Sequence, residues 1–387
     1  MLMTLSGLAS GIWGNLSFLL AFLFVLTVVV FVHELGHFLV ARWCGVKVTT
    51  FSIGFGPEIA GFYDRQGTRW RIAWIPLGGY VKFMDDENAA SVPSHEAIKQ
   101  MSAAEQAGSF HAKPLWQRTA VVAAGPLANF LLAIAIFAVM AMFWGITIME
   151  PRVGRVVDGT PAAKAGFQPG DLVVSIDGNR IEEFSDLQRI IVLSPGRDLE
   201  FVIDRNGERK TLKVKPEMRE HNDKIAGKTT RPVIGIQSSS KTARVITKDV
   251  GPVEAVVLGT ERTWQIITGT LTYLGDVVMR RQNADQLGGP IRIADVSGKV
   301  AALGFGYLIN LVAVLSVSVG LINLFPIPML DGGHLMFYAI EAVRRRPLTE
   351  QTQEFGYRIG LAIVLMLMVF TTFNDLPILK GWLFGTG

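Results

Sequence analysis

The sequence predicts a polytopic α-helical membrane protein: four transmembrane helices, a membrane-associated β-sheet, and one soluble α+β domain outside the cytoplasm. Three observations predict it. Half of the 387 residues are hydrophobic and only 18% are charged, below the ~25% usual for soluble domains. Four apolar runs are each long enough to cross a hydrocarbon core of ~30 Å at a rise of ~1.5 Å per residue. Basic residues gather in the segments after the first and third runs, which gives a consistent topology.

The first span lies within residues 1–43 and ends at Arg42. From Asn15 to Val40 the only charged residue is Glu34 and the only histidines are His33 and His37. The run has no basic leader and carries its polar residues inside, unlike a signal peptide. Ionisable groups are costly at membrane depth and mark functional positions. His33 and His37 are four residues apart, on one helix face, where two imidazoles can grip one ion. Glu34 stands beside them, placed to take a proton from activated water. This is the H-E-x-x-H arrangement of zinc hydrolases. A chance match would bury two histidines and a glutamate in a span to no purpose.

Residues 44–118 carry Lys47, Arg65, Arg69, Arg71, Lys82, Lys99, Lys113 and Arg118, which places them on the cytoplasmic side and the N-terminus outside. Val46–Ile53, Gly56–Tyr63, Arg69–Ile75 and Gly79–Phe83 predict four short strands. Gly54-Phe55-Gly56 and Ile75–Tyr80 predict apolar turns. An ordinary small sheet fits this pattern. So does a sheet dipping towards the membrane and offering an edge to an extended peptide. Residues 85–112 predict a flexible surface loop, with His95 and His111 solvated. Cys44, the only cysteine, excludes an intramolecular disulfide and reads as a packing residue.

The second span, 119–147, is entered through Gly125-Pro126-Leu127-Ala128-Asn129. Small residues and an amide suit close helix packing, with Asn129 a candidate for an interhelical hydrogen bond near the site. Residues 150–217 form the soluble domain. Val153–Val157, Asp171–Ile176, Leu199–Asp204 and Lys210–Val214 predict strands, Ser185–Leu193 a helix, and Asp177-Gly178 and Asn206-Gly207 turns. The run Gly159-Thr160-Pro161-Ala162-Ala163-Lys164-Ala165-Gly166-Phe167-Gln168-Pro169-Gly170-Asp171-Leu172-Val173 resembles a bacterial-type PDZ domain. That resemblance implies a peptide-binding groove between a strand and the helix near 185–193.

Residues 218–300 link this domain to the membrane, with an amphipathic helix over Val253–Arg281 along the outer face. Residues 301–346 hold the third span, about 301–322, broken at Asn323–His334 by two prolines and two glycines. Broken backbone at that depth is tolerated only inside protein or beside a wet cavity. A shorter helix to Val343 and the basic run Arg344-Arg345-Arg346 follow. The last span lies within 353–375, and four spans put both termini on the outer side.

A catalytic zinc needs three protein ligands and an open position. His33 and His37 give two. Candidates for the third are Asp331, His334, Asp64, His95 and His111. Asp331 is favoured because it sits at the helix break.

His33–His37, Gly125–Asn129, the PDZ-like domain and Asn323–Gly333, in this order, resemble the site-2 proteases, and most closely the bacterial regulator of sigma-E protease group. The resemblance implies a Zn2+-dependent metalloendopeptidase of the inner membrane. It implies a single-span membrane protein as substrate, such as an anti-sigma factor, already trimmed by another protease. It implies His33, His37 and Asp331 as zinc ligands, Glu34 as catalytic base, and Asn323, Gly54, Phe55, Gly56, Gly78 and Gly79 as substrate-binding. The single PDZ domain departs from the tandem pair of the group. The net charge of +4 is spread over particular loops and predicts no nucleic-acid partner; the bilayer is the other partner. Two rivals are a silent PDZ-bearing adaptor, which has no use for Glu34, and a metal transporter, which would need polar residues along the second and fourth spans.

Overall fold

The computed structural model describes residues 5–85, 101–181, 183–192, 194, 196–223, 227–238, 245–280, 284 and 287–384. In chain order it forms α1 (Leu5–Trp43), β1 (Val48–Tyr63), β2 (Arg69–Phe83), α2 (Ala103–Gly108) and α3 (Leu115–Trp144). Then come β3 (Ile146–Met149), β4 (Arg155–Val156), α4 (Pro161–Lys164), β5 (Leu172–Ile176), β6 (Asn179–Arg180) and α5 (Phe184–Val192). Strands β7 (Leu199–Arg205), β8 (Glu208–Val214), β9 (Glu217–Asp223), β10 (Gly227–Val233), β11 (Ile236–Gln237) and β12 (Val245–Lys248) follow. The chain ends in α6 (Pro252–Val278), α7 (Pro290–Leu303), α8 (Phe305–Asn323), α9 (Asp331–Arg344) and α10 (Glu350–Phe384). Residues 1–139 with 256–387 make one compact unit and 140–255 a second.

In the first unit four helical stretches are long and apolar enough to cross a membrane: Phe18–Trp43, Leu115–Trp144, Phe305–Asn323 and Glu350–Lys380. The third differs from the expected 301–322. Gly304, at φ 126°, separates α7 from α8, a conformation open chiefly to glycine. Helices α1 and α3 touch backbone to backbone: a Cβ on Gly36 would lie 2.4 Å from the Ala124 carbonyl oxygen. Small residues at such a crossing are the usual means of association in lipid, where burial of apolar surface drives nothing. Val25 and Val29 of α1 close on Leu308 and Val312 of α8. Ala133 and Phe137 of α3 meet Ala313 and Val317 of α8 on another side.

The sheet corrects the expectation of four separate strands. Two long strands each bend at the predicted glycines, Gly54 and Gly56 both at φ 89° and Gly78 at φ 150°. Thr50–Ile53 face Lys82–Gly79 and also Arg69–Ile72, while Glu58–Tyr63 face Ala73–Arg69. The bends fold two strands into a sheet four segments wide. Its inner face is anchored to α1: Phe51 stacks on Trp70 at 4.3 Å, and Phe38 meets the Phe51 ring edge-on at 5.4 Å. Each such aromatic pair adds roughly 0.5–1.5 kcal/mol beyond its area.

Asp64 closes the hairpin between the strands and ties it to the same helix. It accepts from Gln66 N (2.9 Å), Thr68 N (3.0 Å) and Trp70 Nε1 (3.0 Å) and pairs with Arg42 of the last turn of α1. Burial opposes its charge. The donors from Trp70, Thr68, Arg42 and Gln66 outweigh burial and hold the carboxyl down to about 2.

Part of the expected loop 85–112 is ordered. Asp85 accepts from Ser109 Oγ (2.5 Å), Phe110 N (3.1 Å) and His111 N (2.9 Å). Helix α2 starts from a Ser102–Glu105 capping box, in which each side chain satisfies the other's backbone donor. Residues 86–100, with His95, lie outside the described residues.

In the second unit β6-β5-β7-β8 form an antiparallel sheet, with β4–β11, β9–β10 and β3–β12 as further pairs. Its core is Val153, Ile176, Leu187, Phe201, Ile203 and Ile234. The predicted turns are present, Asp177-Gly178 at φ 49° and 80° and Asn206-Gly207 at φ 55° and 91°. Successive positive φ values are what a two-residue hairpin turn requires. The expected strand Val153–Val157 shortens to β4. The expected helix forms as Phe184–Val192, and Leu193 lies outside the described residues. A groove of about 1140 Å³ runs between α5 and residues 232–238, lined by Phe184, Leu187, Ile191, Ile234 and Ile236 among others.

The Asp64 cluster sets a pH dependence. A carboxyl depressed in the folded state stabilises it fully above the unfolded value, near ~3.9, and loses that contribution as pH falls through the folded value. Asp64→Asn is therefore expected to lower stability by about 1–2 kcal/mol at pH 7. The deficit should shrink between pH 4 and 2 when thermal unfolding is followed in detergent. A deficit independent of pH would contradict it.

Candidate metal centre

Three side chains from two distant stretches converge inside the first unit. His33 Nε2 lies 3.3 Å from His37 Nε2. Asp331 Oδ2 is 3.1 Å from His33 Nε2, and Asp331 Oδ1 is 3.5 Å from His37 Nε2. One donor atom from each lies within 4.8 Å of the others. His37 Nδ1 is 2.9 Å from the Val121 carbonyl oxygen. A carbonyl only accepts, so His37 carries its proton on Nδ1 and turns the Nε2 lone pair to the centre.

The break in the third span places Asp331. Helix α8 stops at Asn323, Met329 is forced to φ 92°, and α9 restarts with Asp331 as its first residue. A Cβ on Gly332 would lie 2.3 Å from the Leu324 carbonyl oxygen, and one on Gly333 2.4 Å from that of Ile327. Only glycines let the new helix start against the backbone of the broken one. That contact turns the Asp331 carboxylate back towards α1.

The donor set fits a divalent ion. Two imidazoles and a carboxylate make a three-ligand catalytic zinc set. Asp331 Oδ2 is buried and has no hydrogen-bond donor, a costly state for a carboxylate oxygen unless a cation satisfies it.

The chain matches the family described as Peptidase family M50 over residues 21–367. The chain belongs to peptidase family M50. A protein of Agrobacterium fabrum that carries the provisional name of zinc metalloprotease is 48% identical over 364 residues, 94% of this chain and 97% of that protein. Metalloprotease MmpA of Caulobacter vibrioides is 41% identical, over 94% of this chain and 96% of that protein. Among solved structures, the PDZ domain of an SdrC-like protein from Listeria monocytogenes covers 23% of this chain and 84% of that domain, at 24% identity and TM-score 0.19. An M50 peptidase is a zinc metalloendopeptidase of the site-2 protease family.

Further groups surround the His33–His37–Asp331 cluster. Asn323 brings its amide nitrogen 3.5 Å from His33 Nε2. A Cβ on Gly79 would lie 3.0 Å from Glu34 Cγ, and the Val81 backbone N–H hydrogen-bonds the Glu34 carboxylate. The sheet thus runs beside Glu34. Gly54, Phe55, Gly56 and Gly78 form the adjoining bend: the Phe55 ring stacks on Tyr80 at 6.1 Å, and a Cβ on Gly78 would meet that ring at 2.5 Å.

Other third-ligand candidates are engaged elsewhere. His334 Nδ1 is 3.2 Å from the Tyr357 hydroxyl, and Asp64 is held by Arg42. His111, expected to be solvated, lines a small polar cavity with Arg118, His334, Glu341 and Tyr357. The Asp85 anchor on its backbone turns it inward. Among the described residues His33, His37 and Asp331 form the one cluster of this kind.

Sequence reading missed two contributors to the centre, Gly125 and Arg118, and one buried carboxylate away from it, Asp375. Gly125 looks like a packing glycine, yet a Cβ there would lie 2.3 Å from His37 Nε2 and 2.9 Å from His33 Cε1. Arg118 pairs with Glu341 at 2.7 Å and lies over the Tyr338 ring, fastening α9, and with it Asp331, to α3. Asp375, fully buried in α10, accepts from Gly289 N and Arg292 N at the start of α7. It lies at the edge of the expected last span and shows that this helix is not wholly apolar.

Gly125→Ala is expected to weaken zinc binding tenfold or more (the order seen for disturbed outer-shell groups). Competition against a chelator in detergent measures it. Unchanged affinity would mean that the histidine rings have room to spare.

Proposed function

We propose that this M50 peptidase is an intramembrane endopeptidase that cuts the transmembrane segment of single-span proteins. His33, His37 and Asp331 hold Zn2+ and Glu34 is the base. The observation that carries the reading is the meeting of Asp331 with His33 and His37 on a helix whose only charged residue from Asn15 to Val40 is Glu34. Reactive groups at that depth serve a bond at that depth.

Zinc bound there supplies a Lewis acid that acidifies a water molecule and polarises the scissile carbonyl. The protein's own groups do the remainder. Glu34 accepts the proton of the attacking water and delivers it to the amide nitrogen as the C–N bond breaks. The Val81 N–H holds the Glu34 carboxylate in place for both transfers. The Asn323 amide, beside the histidines, donates to the substrate backbone. A transmembrane helix has no free backbone groups and must unwind before it can be cut. An edge through Gly79, flanked by the bend at Gly54, Phe55, Gly56 and Gly78, can hold the unwound segment as an added strand.

The basic segments after the first and third spans put the sheet on the cytoplasmic side. They leave both termini and the second unit in the periplasm, the protein being in the bacterial inner membrane. The second unit is read as a PDZ domain. Its groove between α5 and residues 232–238 suits an extended chain end. An anti-sigma factor already trimmed by another protease is a substrate of the right form.

Glu34→Gln should retain stoichiometric zinc and lose cleavage of a model single-span substrate by at least a thousandfold (roughly 4 kcal/mol of barrier). Turnover retained in that variant would sink the mechanism. Asp331→Ala should lower bound zinc while His334→Ala leaves it at one per chain. The opposite pattern, read by metal analysis of purified protein, would transfer the ligand role to His334.

A further inference from the structure

Asn129 is fully buried on α3, one turn beyond Gly125 and on the same face. Its amide nitrogen is placed 3.2 Å from His33 Nδ1, while its Oδ1 is buried without a partner. The residue itself is pinned. Its backbone carbonyl accepts from Ser316 Oγ at 2.9 Å, and a Cβ on Gly320 would come within 3.2 Å of the Asn129 Cβ. Only the terminal amide has freedom, and a half-turn exchanges its oxygen and nitrogen.

The two orientations have different consequences for His33. With Nδ2 donating, His33 Nδ1 is an acceptor and the ring proton sits on Nε2. That is the nitrogen facing His37 and Asp331, and a protonated Nε2 cannot ligate. With Oδ1 accepting, the proton sits on Nδ1 and the Nε2 lone pair is free. The ring is neutral in both, so the exchange moves one proton from Nε2 to Nδ1 and changes no net charge. His37 has no such choice, because a backbone carbonyl holds its Nδ1 proton. We propose that Asn129 is a positioning residue for the metal: its amide, turned to present Oδ1, selects the His33 tautomer that binds. His37 is thereby a permanent ligand and His33 a conditional one. This inference rests on the zinc assignment above.

The test is zinc affinity of the full chain in detergent, by competition with a chromophoric chelator, for wild type, Asn129→Leu and Asn129→Asp. Leucine has nearly the same shape and no acceptor. An ionised aspartate only accepts. Asn129→Leu is expected to bind zinc 10–100-fold more weakly, and Asn129→Asp as tightly as wild type or more so. Thermal unfolding of the metal-free proteins checks that packing is retained. Equal affinity for wild type and Asn129→Leu overturns the proposal. So does an Asn129→Asp variant as weak as Asn129→Leu, which would mean the amide serves as a donor. Should Asn129→Leu not fold, Asn129→Ala serves as the variant without an acceptor, and Asn129→Asp against wild type still separates the acceptor role from the donor role. A wild-type chain that binds no zinc would instead refute the metal assignment.

Discussion

The backbone contact between α1 and α3 is the constraint on which the rest of the centre depends. In lipid, two apolar helices gain little from hiding apolar surface, and their separation is set by what stands between them. Gly36 removes the side chain that would hold α3 away at Ala124. At this separation the Val121 carbonyl reaches His37, the Asn129 amide reaches His33, and Gly125 has to be bare to clear both rings. A wider crossing would leave both Nδ1 atoms without partners at a depth where no bulk water replaces them. The orientation of the histidines is therefore a property of the helix pair, not of the H-E-x-x-H motif alone.

The third donor is brought in by a different device. A continuous helix would carry Asp331, eight residues beyond Asn323, about two turns further along its axis. Two prolines stop α8, Met329 takes a left-handed conformation that costs on the order of 1–3 kcal/mol, and two glycines let α9 begin against the broken end. Such strain persists only where the surroundings over-determine it. Here the Arg118–Glu341 pair holds the far part of α9 against α3. The same helix, α3, thus orients the histidines and, through α9, the carboxylate.

The sequence made most of this legible because membrane depth is a severe filter. In a soluble chain a histidine pair with a glutamate is weak information; in an uncharged apolar run, His33, Glu34 and His37 stand out. Asp331 was readable for the same reason, since prolines and glycines inside a span demand an explanation. What stayed hidden was carried by residues whose types have an ordinary role in membrane helices. Gly125 reads as packing, and Asn129 reads as an interhelical hydrogen-bonding residue whose partner, His33, only the fold identifies. The long-range pair Arg118–Glu341 has no local signature at all. The strands were hidden in another way: glycine marked the bends correctly, but only the register shows that Thr50–Ile53 have neighbours on both sides. Asp85, with its three contacts to residues 109–111, ordered a stretch whose composition reads as loop.

The sheet and the centre are bound by one helix, and that gives the arrangement its direction. Phe38 and Arg42, one and two turns beyond Glu34 on α1, hold the sheet through Phe51, Trp70 and Asp64. The sheet therefore cannot shift along the membrane normal without α1, and Gly79 and Val81 stay level with Glu34. Gly79 has no side chain because Ser52 O, Glu34 Cγ and Val30 Cγ1 already fill its surroundings. Backbone next to the Glu34 carboxylate, with nothing projecting from it at Gly79, leaves the sheet's edge groups as polar neighbours of that carboxylate. A peptide paired to that edge would be held level with the His33–His37–Asp331 cluster by the same packing that fixes the cluster itself.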